Sequence, residues 1–207
     1  MSEPSKAEEI KAIHTAIGSA LSNWTRVEIQ LYQIFSASLT LTIMQPGGGY
    51  SSDARIPVAV LDAIDGFRSK ILMIDKALTS ALGDLDDTAT SILNDWAKEK
   101  EKVQRLHTGS RSRLAHWTVA SGFPEGAQVR LVPPSYSTRE HQGITLTDIQ
   151  QCEAAFVEAQ NRLISIVERL TSHQGLQRKF LRQVASQVRC TLPGDQTAIE
   201  FLKRELS

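Results

Sequence analysis

The chain has 207 residues, 41% of them hydrophobic and 22% charged, with a formal net charge of zero. That is enough for one domain with a substantial core, and the composition is ordinary for a water-soluble globular protein. No apolar run approaches the roughly 18 residues that span a bilayer, which argues against a membrane protein.

The opening residues Met1-Ser2-Glu3-Pro4-Ser5-Lys6 lack the apolar centre of a signal peptide. Cys152 and Cys190 are solitary and far apart, which suits a reducing compartment. The expected location is the cytoplasm. Charge is unevenly spread: residues 1–100 carry 9 basic and 13 acidic groups, and residues 101–207 carry 14 and 10. That asymmetry permits an anionic partner without demanding one.

From residue 5 to about 43 the spacing predicts one long helix. Ile10, Ile13, Ile17, Leu21, Trp24, Val27, Leu31, Ile34, Phe35 and Ser38 recur at three- and four-residue steps and make a single apolar stripe. Met44-Gln45-Pro46-Gly47-Gly48-Gly49-Tyr50 ends it. A second helix is expected from Ala54–Pro57 onward, because proline suits a first turn. Its stripe is Val60, Leu61, Ile64, Phe67, Ile71, Ile74, Leu78 and Leu82, with Gly83 as C-terminal cap and Asp84, Asp86 and Asp87 at the start of the next helix. That third helix carries Ile92, Leu93, Trp96, Val103 and Leu106, with a charged outer face from Lys98 to Lys102.

A break is expected at Thr108-Gly109-Ser110. Ser110 would cap a short helix holding Arg111 to His116, whose free backbone N–H groups at 111–113 would then form an anion site beside Arg111 and Arg113. Trp117–Ala120 and Gln128–Val132 read as a small hairpin, Pro133-Pro134 closes it, and 135–143 reads as an exposed loop. Thr147-Asp148-Ile149-Gln150 matches a capping box and opens a helix to about Ser172, with Ile149, Cys152, Phe156, Leu163, Ile166, Val167 and Leu170 inward. Leu176–Val188 reads as a basic amphipathic helix carrying Arg178, Lys179 and Arg182. The expected architecture is all-α: an antiparallel bundle of four to five helices with a β-hairpin after the motif helix. Residues 1–174 form the bundle, and 175–207 form a basic C-terminal helix and tail, packed on the bundle or serving as a dimer arm or RNA contact.

Several chemistries lack their residues. Gly47-Gly48-Gly49 has no following Gly-Lys-Ser/Thr and follows a helix, so it is not a phosphate loop. The five histidines and two cysteines offer no metal-ligand spacing, so neither a metal nor another cofactor is expected. There is no Gly-x-Ser-x-Gly elbow.

What remains is Arg111-Ser112-Arg113-Leu114-Ala115-His116: a permanently charged guanidinium five residues before a titratable imidazole. On a regular helix these two point about 140° apart, so one helix does not aim both at a single atom; a second copy facing the first would close the gap. Ser112 and His116, four apart, share a face. Glu28 lies beside the apolar stripe of the first helix, where it either pairs with Arg111 or is a flanking surface or structural group. His14 and His107 read mainly as structural, His107 being the nearer to the motif, and His141 and His173 fall in loops. Of the tryptophans, Trp24 and Trp96 read as core and Trp117 is the one placed to stack on a base.

These residues resemble the signature of the HEPN superfamily, helical-bundle proteins whose motif is commonly Arg-Asn-x-Leu-Ala-His. Arg111, Leu114, Ala115 and His116 match, and Ser112 departs from the usual asparagine. Trp24 four residues before Glu28 is also similar to members of this group. The resemblance implies a homodimer pairing its motif helices, and in many members a metal-independent endoribonuclease, in some a toxin or defence effector with an antitoxin or nucleotidyltransferase partner. It implies Arg111 on the scissile phosphate, His116 as general acid or base, and Ser112, Arg113 and Glu28 in support, with the RNA 2′-hydroxyl attacking. Other members are non-catalytic modules that bind RNA, nucleotide or protein.

Overall fold

The computed structural model describes residues 5–39, 42–44, 50–52, 55–83, 85–120, 128–134, 143–173 and 175–176. The first helix, α1, spans Lys6–Leu39. Ser5 and Glu8 cap it reciprocally: the Ser5 N–H donates to the Glu8 carboxylate at 2.7 Å, and the Glu8 N–H donates to the Ser5 hydroxyl at 3.3 Å. The whole predicted stripe faces inward, from half-buried Ile10 to buried Ser38. The helix stops four residues short of the expected end. Thr42–Met44 (β1) instead pairs antiparallel with Tyr50–Ser52 (β2), a hairpin across residues expected to be helix end and loop.

The expected second helix is two. α2 spans Arg55–Asp62 and α3 spans Phe67–Leu82, separated at Gly66, whose φ of 81° suits glycine and ends helical continuity. The bend leaves Val60 exposed while Leu61, Ile71, Ile74, Leu78 and Leu82 stay buried. Gly83 caps α3 as expected, but with helical dihedrals, its N–H donating to the Thr79 carbonyl.

α4 (Asp87–Leu106) starts at Asp86, whose carboxylate accepts the Ala89 N–H at 2.9 Å. Its charged run is not wholly an outer face. Glu99 is buried and accepts from Arg162, Lys100 reaches Asp75, and Lys102 reaches Glu158. α5 (Ser112–His116) leads into β3 (Thr118–Ala120) and β4 (Arg130–Val132), the predicted hairpin, with Val119 opposite Leu131. Ile144 bridges Leu131 through two 2.9 Å backbone bonds on the far side of β4. That bridge keeps the chain extended as far as Thr145, so Thr145 with Asp148 forms the capping box of α6 (Leu146–Thr171), two residues before the expected Thr147.

The bundle is all-α apart from its hairpins. Ser19 and Asn23 of α1 bond Glu153, and Trp24 packs edge-on against Phe156, so α1 and α6 run side by side in one direction. The pairs Lys102–Glu158, Arg162–Glu99 and Arg169–Asp95 descend one helix as they climb the other, so α4 runs antiparallel to α6. Trp24, Trp96, Phe35 and Phe156 are the largest fully buried side chains. Each is worth about 3–5 kcal/mol against truncation to alanine. Beyond Leu176 the expected basic C-terminal helix and tail lie outside the described residues, as do His141 and Cys190.

Candidate functional site

The motif does not begin a new helix. His107–Arg111 is a π-helical turn continuous with α4 and α5, and the Ser112 N–H donates to the His107 carbonyl across it. Arg111 and Ser112 have ordinary right-handed helical dihedrals. Ser110 therefore caps nothing, and the expected anion site of free N–H groups at 111–113 is not formed. Glycine and serine lower helix propensity there, but the packing of Leu106 and Leu114 carries the helix through.

The extra residue of the π turn changes which way the motif points. On a regular helix Arg111 would lie about 80° round from the buried Val103; one inserted residue subtracts about 100° and returns it to within roughly 20° of Val103's line. Arg111 is accordingly half-buried, and its Nε is a buried donor without an acceptor. Among the described residues no ion pair or hydrogen bond holds its guanidinium, and none joins it to Glu28. His116, about 140° further round, is exposed. The structure thus places the two predicted catalytic side chains on different faces of the continuous π turn and α5, and does not bring them together within the chain. Ser112 is half-buried, and Arg113 is exposed with its guanidinium 5.4 Å from the centre of the Trp117 ring. That contact is a cation–π pairing, on the one tryptophan expected to stack on a base.

Glu28 accepts the indole N–H of buried Trp24 at 2.8 Å. This satisfies a donor that would otherwise be stranded in the core, so Glu28 carries a structural bond whatever else it does. It also lines a cleft of about 360 Å³ between α1, the start of α3 and the π turn. Tyr32, Asp62, Asp65, Lys70, Phe67 and His107 complete the polar and aromatic lining. The Tyr32 hydroxyl donates to Asp62 and accepts from Lys70 at 3.2 Å. Burial and the Asp62 carboxylate push the Tyr32 phenol above its usual range, against the pull of Lys70.

His107 is the residue that motif spacing underrated. It precedes Arg111 by four positions and lies on the same helix face. Its ring stacks on Phe67 and stands 5.6 Å from Trp24. Burial, then the Arg111 charge, hold its imidazole below the ordinary histidine range, while Glu28 pulls the other way. The signal available in sequence was this second His/Arg spacing across Gly109. His14 is exposed, and His173, expected in an idle loop, is buried and doubly bonded.

Among the described residues, no group of three or more His, Cys, Asp or Glu is arranged to hold a metal ion, and no helix is long and apolar enough to cross a membrane. No family model matches the chain, and neither a curated protein nor a solved structure matches it.

Proposed function

We propose that this chain is a HEPN-like, metal-independent endoribonuclease, a toxin or defence effector of the cytoplasm, that acts as a homodimer. In this reading Arg111 holds the scissile phosphate and stabilises the charge that builds on it. His116 moves the proton to or from the ribose 2′-hydroxyl or the leaving oxygen, a role worth about 10²–10⁴-fold in rate. The 2′-hydroxyl displaces the 5′-oxygen and leaves a cyclic phosphate and a 5′-hydroxyl. Ser112, Arg113 and Glu28 support the site.

The observation that carries the reading is the state of Arg111: a half-buried guanidinium with an unsatisfied Nε and no counter-ion among the described residues. A half-buried guanidinium without a counter-ion is costly, and a phosphate reaching its open side supplies the missing charge, while the Nε itself is closed to solvent. The outward-facing His116 then belongs to a site completed by a second motif helix, as the resemblance of residues 111–116 implies.

The test is cleavage of total RNA in EDTA by the wild type, by Arg111→Ala and by His116→Ala, followed by a mixture of the two variants. Each variant alone is inactive. Random re-pairing of the mixture restores about a quarter of wild-type activity if each site takes arginine from one copy and histidine from the other. Failure of the wild type to cleave overturns the enzyme. A second reading, a non-catalytic module binding RNA, nucleotide or a protein partner, draws on two facts: His116 has no orienting partner among the described residues, and Ser112 replaces the usual asparagine. It predicts RNA binding without cleavage, lost in Arg111→Ala.

A further inference from the structure

At the far end of α6 one buried imidazole has both nitrogens committed. His173 is 6% exposed. Its Nε2 lies 3.1 Å from the Asp86 carboxylate, and the backbone N–H of Leu176 donates to its Nδ1 at 3.1 Å. A backbone N–H only donates, so Nδ1 presents its lone pair; the neutral ring's proton is then on Nε2, given to Asp86. The chain folds tightly over this edge: a Cβ at Gly175 would lie 2.9 Å from the ring's Cε1 and 3.3 Å from Nδ1. Asp86 is also the N-cap of α4. One carboxylate therefore fastens the start of α4 to the end of α6 and, through the imidazole, to the helical residues Gly175–Leu176 beyond.

We propose that His173 is a proton-operated latch: a proton arriving on Nδ1 expels the Leu176 N–H and frees the helical residues Gly175–Leu176 from the α4–α6 end of the bundle. The two arms of the latch respond oppositely. Nδ1 protonated sets N–H against N–H and leaves the Leu176 donor, on a residue 4% exposed, without its acceptor. The Asp86 arm gains, because hydrogen bonds between charged partners are the stronger kind. The ring therefore stays on α4 while Gly175–Leu176 leaves. The Ala89 N–H, then the His173 ring, hold the Asp86 carboxyl below the usual carboxylate range, so it is ionised when the imidazole takes its proton. Among the described residues, the other charges of α4 and α6 nearby are engaged or outward. Arg169 of α6 bonds Asp95 and Ser91, and Glu168 and Asp87 are exposed.

The test is NMR on the full chain, reading the His173 tautomer from its ring nitrogens and the exchange of the Leu176 amide against pH, corrected for intrinsic rate. The proposal expects the Nε2–H tautomer and a loss of Leu176 protection of about tenfold or more that tracks the His173 ring titration. The Ile149 amide, at the other end of α6, should stay protected. In His173→Asn, which keeps an acceptor but cannot titrate, the step should vanish. In Asp86→Asn, which keeps the α4 cap but removes the anion favouring imidazolium, the step should move to lower pH. An Nδ1–H tautomer, protection that ignores the ring titration, or an unchanged step in His173→Asn overturns it. Should His173→Asn fail to fold, the direction of the Asp86→Asn shift decides.

Discussion

The imidazole of His107 lies flat on the ring of Phe67, with centroids 4.0 Å apart and planes 2° from parallel. Phe67 opens α3 directly after Gly66, so the break between α2 and α3 and the π turn before the motif meet at this stack. The arrangement shields the imidazole and sets Arg111 one turn beyond it. A histidine in that position favours its neutral form, and the direction of the shift can be checked.

His107 should therefore show an NMR midpoint below that of an exposed histidine. Replacing Arg111 with Gln removes a cause that lowers it, so the midpoint should rise; Glu28→Gln removes the one that raises it, so the midpoint should fall further. The sign for stability follows. The unfolded chain binds the proton more readily than the folded one, so His107 contributes fully above the unfolded histidine value and loses its contribution as pH falls toward the folded one. A urea-midpoint series should fall with pH in that window in the wild type and flatten there in His107→Gln. A His107 midpoint at or above that of an exposed histidine would sink the account.

Glu99 is 6% exposed and its Oε2 has no partner among the described residues, while Oε1 takes the Arg162 guanidinium at 2.9 Å. Arg162→Ala strands this carboxylate in the α4–α6 seam. It should lower Tm by several degrees, more than an exposed ion pair would. The double variant Glu99→Leu with Arg162→Ala should recover most of the loss, because an apolar side chain there needs no counter-ion. Thermal melts of the singles and the double close the cycle; a double variant no better than Arg162→Ala would mean the carboxylate is solvated after all.

Much of the bundle was legible because burial follows periodicity. The stripes from Ile10 to Ser38 and from Ile149 to Leu170 face inward, and the Thr118–Val132 hairpin forms where alternation pointed. The break at Gly66 was hidden because Leu61, Ile64, Phe67 and Ile71 keep helical spacing across it; Asp65-Gly66, a turn dipeptide, was the signal that lost. Glu99 was misjudged because it sits in a run of lysines and glutamates, and sequence alone does not show Arg162 arriving from sixty-three residues away. The π turn left no trace in the hydrophobic pattern, since no apolar side chain falls between Leu106 and Leu114 to mark the change of phase. That is why the motif's residues were found by type while their directions were not. His107, which shares Arg111's face, was underrated for the same reason.

The glycines divide by backbone and by space. Gly109 has nothing within 4 Å of a built Cβ, so Gly109→Ala should stabilise the chain by about 0.5–1 kcal/mol. Gly66 has φ 81°, and an alanine there should cost about 1–2 kcal/mol in backbone strain alone. Gly143 combines φ 73° with a Cβ position 2.9 Å from the Leu131 carbonyl, so Gly143→Ala should be the most costly of the three. Urea unfolding monitored by tryptophan fluorescence ranks them. Gly109→Ala coming out as the worst would contradict the continuous helix through the π turn.

Deleting residues from the π turn tests whether helix phase, rather than the motif's residue types, aims Arg111. Without Gly109 the segment is expected to close with ordinary i to i−4 bonds; Arg111 then stands seven regular steps from Val103 and keeps within roughly 20° of its line. Leu114, buried at 3% exposure, also keeps its place. Removing Gly109 and Ser110 together turns everything after them by about 100° more, which swings Arg111 off that line and pulls Leu114 from the core, a loss of about 2 kcal/mol or more. The single deletion should therefore keep its Arg111-dependent RNA binding, as Gly109→Ala does, while the double deletion should melt lower and lose it. Binding is measured on labelled single-stranded RNA at fixed low salt, because phosphate contacts weaken steeply as salt rises. A double deletion that binds RNA as tightly as the Gly109→Ala control would show that helix phase does not orient the cation, and that the resemblance rests on residue identity alone.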